Sequence, residues 1–237
     1  MNRLLSFPVA LVCAACQPAL PVSGADLVKT REAMVTQQIA GRDIKDGRVL
    51  AAMREVPRHE FVPADTRQSA YDDSPLPIGH GQTISQPYIV AFMTEQLAPR
   101  ATDRVLEVGA GSGYQAAILS KLVKEVYTIE IVEPLAKRAA ADLERLGFRN
   151  VHVKAGDGYE GWPEHAPFDS IIVTCAPEKV PEPLVRQLKD GGRMIIPVGE
   201  QLGAQELYVL EKRGAELKKT AVLPVRFVPM TGKSQKQ

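Results

Sequence analysis

Residues 105–114 read Val-Leu-Glu-Val-Gly-Ala-Gly-Ser-Gly-Tyr, an apolar run that passes into three alternating glycines. The short run of partly β-branched residues is typical of a buried parallel strand. The glycines predict a sharp turn after it, because a residue without Cβ lets the backbone approach a ligand closely. A helical pattern begins at Tyr114, and residues 126–130 form the next predicted strand, which ends in a carboxylate. The stretch therefore predicts a unit of strand, glycine loop, helix and strand.

This unit predicts an adenosine ligand, since Glu130 at the end of the second strand can accept hydrogen bonds from both ribose hydroxyls. A dinucleotide fold prefers G-x-G-x-x-G, which holds a pyrophosphate at the helix N-terminus. Here the loop is G-x-G-x-G, with Tyr114 where the last glycine would fall. Glu107 adds a negative charge that would repel a pyrophosphate and would suit the ammonium and sulfonium of S-adenosylmethionine. We predict S-adenosylmethionine; a nicotinamide or flavin dinucleotide, or a turn that binds nothing, are the alternatives.

The alternation of helix and strand continues towards the C-terminus. Helices are predicted at residues 133–146 and 183–189, and strands at residues 151–155, 168–174 (the central one), 193–198, 206–210 and 221–227. The last two strands have little helix between them, which favours a closing antiparallel hairpin. The fold class is therefore α/β: a doubly wound, mostly parallel sheet of the S-adenosylmethionine-dependent methyltransferase type.

Asp157 follows the strand at residues 151–155, within Gly156-Asp157-Gly158. Ligands of open α/β sheets bind at the carboxyl ends of the strands, so Asp157 is a candidate contact to the adenine edge. Gly-Asp-Gly is also ordinary turn chemistry, and the sequence leaves the two interpretations open.

The segment before the nucleotide unit has a different character. Two helices are predicted there, at residues 28–40 and 46–56, and residues 57–87 are rich in proline and glycine. The apolar residues in this long segment argue against disorder, so we predict a substrate-contacting loop. Ser85 precedes an amphipathic helix at residues 87–97. In one interpretation its hydroxyl is simply the N-cap of that helix and binds main-chain N–H groups. Alternatively Ser85, Thr83 and the exposed amides at this helix start bind a carboxylate.

Several segments together resemble the protein-L-isoaspartate O-methyltransferase family. The resemblance covers about residues 27–230 in order, both inside and outside the cofactor unit. Its motifs are Pro77-Ile-Gly-His-Gly-Gln-Thr-Ile-Ser-Gln-Pro-Tyr88, residues 105–114, Gly156-Asp-Gly158, Phe168-Asp-Ser-Ile-Ile-Val-Thr-Cys-Ala-Pro177, Ile196-Pro-Val-Gly199 and Arg226-Phe-Val-Pro229. The Gly-Gln-Thr-Ile-Ser-Gln-Pro and Arg-Phe-Val-Pro segments are specific to this family. His80 stands where many members of the family have glutamine or another polar residue, and this difference puts little of the resemblance in doubt.

The resemblance implies methyl transfer from S-adenosylmethionine to the free α-carboxyl of L-isoaspartyl residues in damaged proteins. S-adenosylhomocysteine is then the other product, and repair proceeds through a succinimide. Ser85 matches the active-site serine, with Thr83, Ile84 and Gln86 as expected substrate contacts. The expected cofactor contacts are Glu107, Gly109, Gly111, Gly113, Glu130, Asp157 and Gly158. The alternatives are a methyltransferase of the same fold acting on a small metabolite or RNA, and a non-catalytic binder of damaged proteins.

The composition bears on two other kinds of function, nucleic-acid binding and metal binding. Lys and Arg number 29 against 28 acidic residues, so the chain lacks the global basic surface expected of a nucleic-acid binder. The four histidines are scattered, which gives no support to a metal site. We expect a monomer whose partners are isoaspartyl proteins.

The N-terminus carries a conflicting signal. Residues 1–25 have a basic start, an apolar run and small residues, as in a cleavable export signal, and are too short to span a membrane stably. The family resemblance predicts the cytoplasm, where S-adenosylmethionine is made, and an exported or periplasmic protein is the alternative. We further predict an N-terminal helical and substrate-loop region at residues 26–100 and a cofactor domain at 101–230. These would form one compact unit, followed by a tail at 231–237.

Overall fold

A computed structural model describes residues 24–200 and 203–233. The predicted export signal, apart from its last two residues, lies outside the described residues, and so do the last four residues of the predicted tail. Within the described ranges, no helix is both long enough and apolar enough to cross a membrane.

Two helices open the described chain. Helix α1 (Gly24–Ala33) continues directly as a π-helix over Met34–Ala40, whose buried residues join the core. Helix α2 (Gly47–Glu55) begins at Asp46, where the Asp46 carboxylate accepts the main-chain N–H of Arg48 at 2.8 Å. Both helices lie where the sequence predicts them, and the first begins four residues earlier.

Residues 57–87 are more regular than the predicted loop. They contain 3₁₀ turns at Arg58–Glu60 and Ala64–Ser69, and then an antiparallel hairpin of β1 (Leu76–Gly79) and β2 (Gln82–Ile84). Ile78 and Ile84 are buried, so apolar packing holds the hairpin against the domain. At its tip Gly79, His80 and Gly81 all have positive φ, which makes the tight reversal possible. The expectation of an irregular segment was therefore wrong for residues 76–84.

The remaining α-helices and strands form the predicted α/β domain. They are α3 (Pro87–Leu97), β3 (Arg104–Val108), α4 (Tyr114–Ser120), β4 (Glu125–Glu130), α5 (Glu133–Arg145), β5 (Val151–Ala155), β6 (Phe168–Val173), α6 (Glu182–Gln187), β7 (Leu188–Gly199), β8 (Gln205–Arg213) and β9 (Glu216–Val225). The strand order is β5-β4-β3-β6-β7-β8-β9. In this spatial order, neighbouring strands from β5 to β7 pair in parallel. Strand β8 pairs antiparallel with both β7 and β9. This arrangement confirms the fold class and the closing hairpin.

The strand order reverses between β3 and β6. From β3 the chain moves outward through β4 to β5, and it then returns to the other side of β3 for β6 and β7. The loops after β3 and β6 consequently diverge at their carboxyl ends, and a crevice opens between them. Such a switch point is where open α/β sheets bind their ligands.

The chain after β9 returns to this crevice. The Gln205 side chain accepts the Phe227 N–H at 2.6 Å and donates to the Phe227 carbonyl at 3.2 Å. The Ala176 N–H donates to the Val228 carbonyl and the Met230 N–H to the Ala176 carbonyl, both at 2.8 Å. Residues 227–230 are thereby fixed across the loop that follows β6.

Candidate active site

A cleft with about 770 Å³ of empty space lies at the carboxyl ends of β3, β4 and β6. Its walls include the glycine loop after β3, the end of β4, strand β2 with Ser85, and residues 228–231 of the returning C-terminal segment. The chemistry of the cleft therefore follows from how these parts are held together.

The Glu130 carboxylate organises the glycine loop. One carboxylate oxygen accepts the Gly111 N–H at 2.7 Å, and the other accepts the Val132 N–H at 2.9 Å. A carboxylate offers about four acceptor positions, so each oxygen keeps one for a ligand. Glu130 also lines the cleft, which fits the predicted bonds to two ribose hydroxyls.

Gly109 stands where a side chain has no room. Its φ is +100°, and a Cβ there would collide with the Thr174 hydroxyl oxygen. That hydroxyl donates to the carbonyls of Val108 and Gly109, at 3.0 and 2.6 Å, and so joins the ends of β3 and β6 at the switch point. Position 109 therefore requires glycine, and Gly109 itself lines the cleft.

Of the other glycines predicted as cofactor contacts, two line the cleft and one is needed for helix packing. Gly111 and Gly158 line the cleft, and a Cβ on Gly158 would collide with the Val108 side chain. Gly113 does not line the cleft. A Cβ at Gly113 would lie 3.2 Å from Leu143, so this glycine allows α4 to approach α5.

Glu107 is a fully buried carboxylate that lines the cleft. Neither of its oxygens has a hydrogen-bond partner in the described structure. Burial raises the pKa of Glu107 to about 8, and the charge of the nearby Glu130 raises this pKa further. Without a cation beside it, Glu107 is therefore mostly protonated at pH 7, whereas the sequence predicts a negative charge there. An arriving cation would favour the charged form, and this fits a ligand with an ammonium or sulfonium group.

Asp157 is engaged in turn structure. Its carboxylate accepts the N–H groups of Tyr159 and Lys233, at 3.0 and 2.9 Å, and the residue does not line the cleft. The turn interpretation thus has direct geometric support. Contact between Asp157 and adenine stays a prediction.

Ser85 does not cap the helix that follows it. The N-cap of α3 is Gln86, which makes no side-chain capping bond, so the N-cap interpretation of Ser85 was wrong. Ser85 and Thr83 both line the cleft, and neither hydroxyl has a hydrogen-bond partner among the described residues. Both donors are therefore free for a ligand.

The two neighbours of Ser85 face other surroundings. Ile84 is buried and lines the cleft, whereas Gln86 lies outside it and donates to the Asp73 carbonyl at 3.1 Å. Gln86 therefore helps to hold the hairpin in place.

Sequence reasoning missed residues 228–231 as part of the cleft wall. Their signal was the Arg226-Phe-Val-Pro229 motif, to which no role was assigned. Cys175 also lines the cleft, and burial raises the pKa of its thiol to about 12. This thiol is consequently no nucleophile at neutral pH. Among the described residues, no group of His, Cys, Asp and Glu side chains is arranged to hold a metal ion.

Comparisons with known proteins point to one family. The family described as protein-L-isoaspartate(D-aspartate) O-methyltransferase matches residues 29–235. Protein-L-isoaspartate O-methyltransferase of Opitutus terrae is 59% identical over 85% of this chain and 86% of its own length. Protein-L-isoaspartate O-methyltransferase 2 of Shewanella sediminis is 51% identical over 100% of this chain and 98% of its own.

Two solved structures agree with these relatives. One protein-L-isoaspartate O-methyltransferase superposes with a TM-score of 0.79 at 32% identity, over 85% of this chain and 66% of that chain. A putative enzyme of the same type from Plasmodium falciparum was solved in complex with S-adenosyl-L-homocysteine. It superposes with a TM-score of 0.74 at 26% identity, over 85% of this chain and 98% of that chain.

The pKa of Glu107 predicts a pH-dependent stability. The folded protein binds more protons than the unfolded chain between the ordinary glutamate pKa of 4.5 and the folded value of about 8. The free energy of unfolding contributed by this group should therefore fall as pH rises through that window, by at most about 1.4 kcal/mol per pH unit. Urea unfolding of the wild type and Glu107→Gln from about pH 5 to pH 9 measures the difference.

The control for this comparison is Glu216→Gln, which removes an exposed carboxylate of β9. Its stability should differ from that of the wild type by an amount nearly independent of pH. A constant difference between wild type and Glu107→Gln would show that Glu107 is ionised throughout, and would contradict the assignment.

Proposed function

The chain belongs to the protein-L-isoaspartate(D-aspartate) O-methyltransferase family, and we propose that it methylates the free α-carboxyl group of L-isoaspartyl residues in damaged proteins. The methyl donor is S-adenosylmethionine, and S-adenosylhomocysteine is released. The methyl ester closes to a succinimide without the enzyme and reopens partly as normal aspartate. The observation that carries this proposal is the pair of unpartnered hydroxyls of Thr83 and Ser85 beside the glycine loop.

The cleft supplies complementary groups for the cofactor. Glu130 has two acceptor positions for the ribose, and Glu107 offers a buried carboxylate to a cation. Gly109 and Gly111 line the cleft, where main-chain atoms without side chains can contact the cofactor. When bound, S-adenosylmethionine supplies a methyl group activated by the positive charge on its sulfur.

The acceptor needs orientation more than activation. An α-carboxyl group with a pKa of about 3.5 is already ionised at neutral pH, so no general base is required. Ser85 and Thr83 can donate hydrogen bonds to such a carboxylate and hold its attacking oxygen in place. Fixing reactants in line can lower the barrier by about 7–11 kcal/mol. In this proposal Ser85 is a hydrogen-bond donor to the substrate and forms no covalent intermediate.

We also propose that the protein works as a monomer in the cytoplasm. Among the described residues, the exposed large apolar side chains are Val28 and Ile131, too few for an extended apolar interface. The cofactor is made in the cytoplasm, and this supports the same compartment. Mass spectrometry of the N-terminus of the purified native protein tests this assignment, since a chain beginning at residue 26 would show export.

The direct test of the activity uses two peptides that differ only in one linkage. One contains L-isoaspartate and the other normal L-aspartate, and each is incubated with the protein and S-adenosylmethionine carrying a labelled methyl group. Base-labile label is expected on the isoaspartyl peptide only, because the normal residue presents no free α-carboxyl inside the chain. Absence of label on both peptides, with the cofactor still bound, would overturn the proposal and favour another acceptor.

Ser85→Ala tests the hydroxyl in the same assay. A hydrogen bond to a charged group contributes about 1.5–3 kcal/mol, so kcat/KM should fall about 10- to 150-fold. Binding of S-adenosylhomocysteine should change little. Ser120→Ala is the matched control, because the Ser120 hydroxyl donates to the Ala117 carbonyl outside the cleft. Equal activity of Ser85→Ala and the wild type would remove Ser85 from the mechanism.

A further inference from the structure

A second groove, with about 1350 Å³ of empty space, adjoins the cofactor cleft. The two share Thr83, Ser85, Thr174 and Val228. Beyond this border the groove runs between the β1–β2 hairpin with the start of α3 on one side and residues 224–228 on the other. If the isoaspartyl carboxylate lies at Ser85, as the proposed function requires, the adjoining residues of the substrate chain must extend along this groove.

Arg226 is the one charged residue that lines the second groove within the described chain. The residue is exposed, and its guanidinium forms no ion pair or hydrogen bond with any described residue. No Asp or Glu among the described residues lines the groove to neutralise it. Arg226 therefore presents an uncompensated positive charge where the substrate chain would pass.

The backbone next to Arg226 is anchored. Phe227 is hydrogen-bonded through both its N–H and its carbonyl to the Gln205 side chain, and the Val228 carbonyl accepts the Ala176 N–H. On the preceding side, Val225 pairs with Gln205 in the β8–β9 ladder. The main chain that carries Arg226 is thus already ordered, so binding of a partner costs mainly the entropy of the side chain.

We infer that Arg226 is a specificity-determining residue that favours isoaspartyl substrates with a carboxylate side chain close to the damaged residue. A guanidinium matches a carboxylate with two parallel hydrogen bonds, and this geometry discriminates an acidic side chain from its amide. The site is open to water, so the effect is a preference and not a requirement.

The test uses isoaspartyl peptides that carry Glu, or Gln in its place, at each of the two positions on either side of the isoaspartate. At low salt the wild type should show a kcat/KM about two- to fivefold higher for Glu than for Gln at one or more of these positions. High salt should reduce this ratio, because exposed ion pairs are screened. Arg226→Gln should bring the ratio to one while retaining activity on the Gln peptides, and Arg226→Lys should restore part of it.

Lys218→Gln is the matched control, since Lys218 is an exposed cation on β9 that does not line the groove. It makes the same change in net charge and should leave the Glu preference intact. Equal wild-type rates on Glu and Gln peptides would overturn the inference and leave the proposed function standing. If Arg226→Gln lowers kcat/KM by the same factor for the Glu and Gln peptides, the inference is also overturned, because the guanidinium would then bind the isoaspartyl carboxylate itself. No methylation of any isoaspartyl peptide would overturn the proposed function and this inference together.

Discussion

The hydrogen bond from the Gly111 N–H to the Glu130 carboxylate is the constraint on which the cofactor cleft depends. It joins the glycine loop after β3 to the end of β4, and the Val132 N–H binds the other carboxylate oxygen. These two bonds fix the orientation of the Glu130 carboxylate and of its remaining acceptor positions. The same residue that shapes the loop is the one expected to bind the ribose, so loop geometry and ligand binding are coupled through one carboxylate.

A second consequence of the fold is the meeting of two grooves at Thr83 and Ser85. The cofactor cleft belongs to the switch point of the sheet, whereas the second groove is built from the hairpin and the chain after β9. Among the described residues, their common border holds the unpartnered hydroxyls of Thr83 and Ser85, the bonded hydroxyl of Thr174 and no charged side chain. It therefore contains no group that must exchange a proton. This arrangement suits an acceptor that arrives already ionised and needs only to be oriented, which is the chemistry of a carboxylate methylation.

The sequence predicted the sheet well because its strands are local patterns. Residues 105–108 and 168–173 are short apolar runs bounded by turn residues, and such runs fit parallel strands buried on both faces. The hairpin of residues 76–84 escaped prediction, since its strands are four and three residues long and its reversal depends on His80 adopting positive φ. Residues 228–231 escaped as well, because the bonds between Gln205 and Phe227 connect positions 22 residues apart. The pKa of Glu107 depends on tertiary burial and has no sequence signal.

We infer that Glu130 binds the ribose while it still holds the glycine loop. A crystal structure of the protein with S-adenosylhomocysteine measures this directly. We expect both ribose hydroxyls within about 2.5–3.0 Å of the Glu130 carboxylate oxygens, with the Gly111 N–H still bonded to the same carboxylate. A ribose bound elsewhere, or a Glu130 side chain turned away from Gly111, would contradict the account.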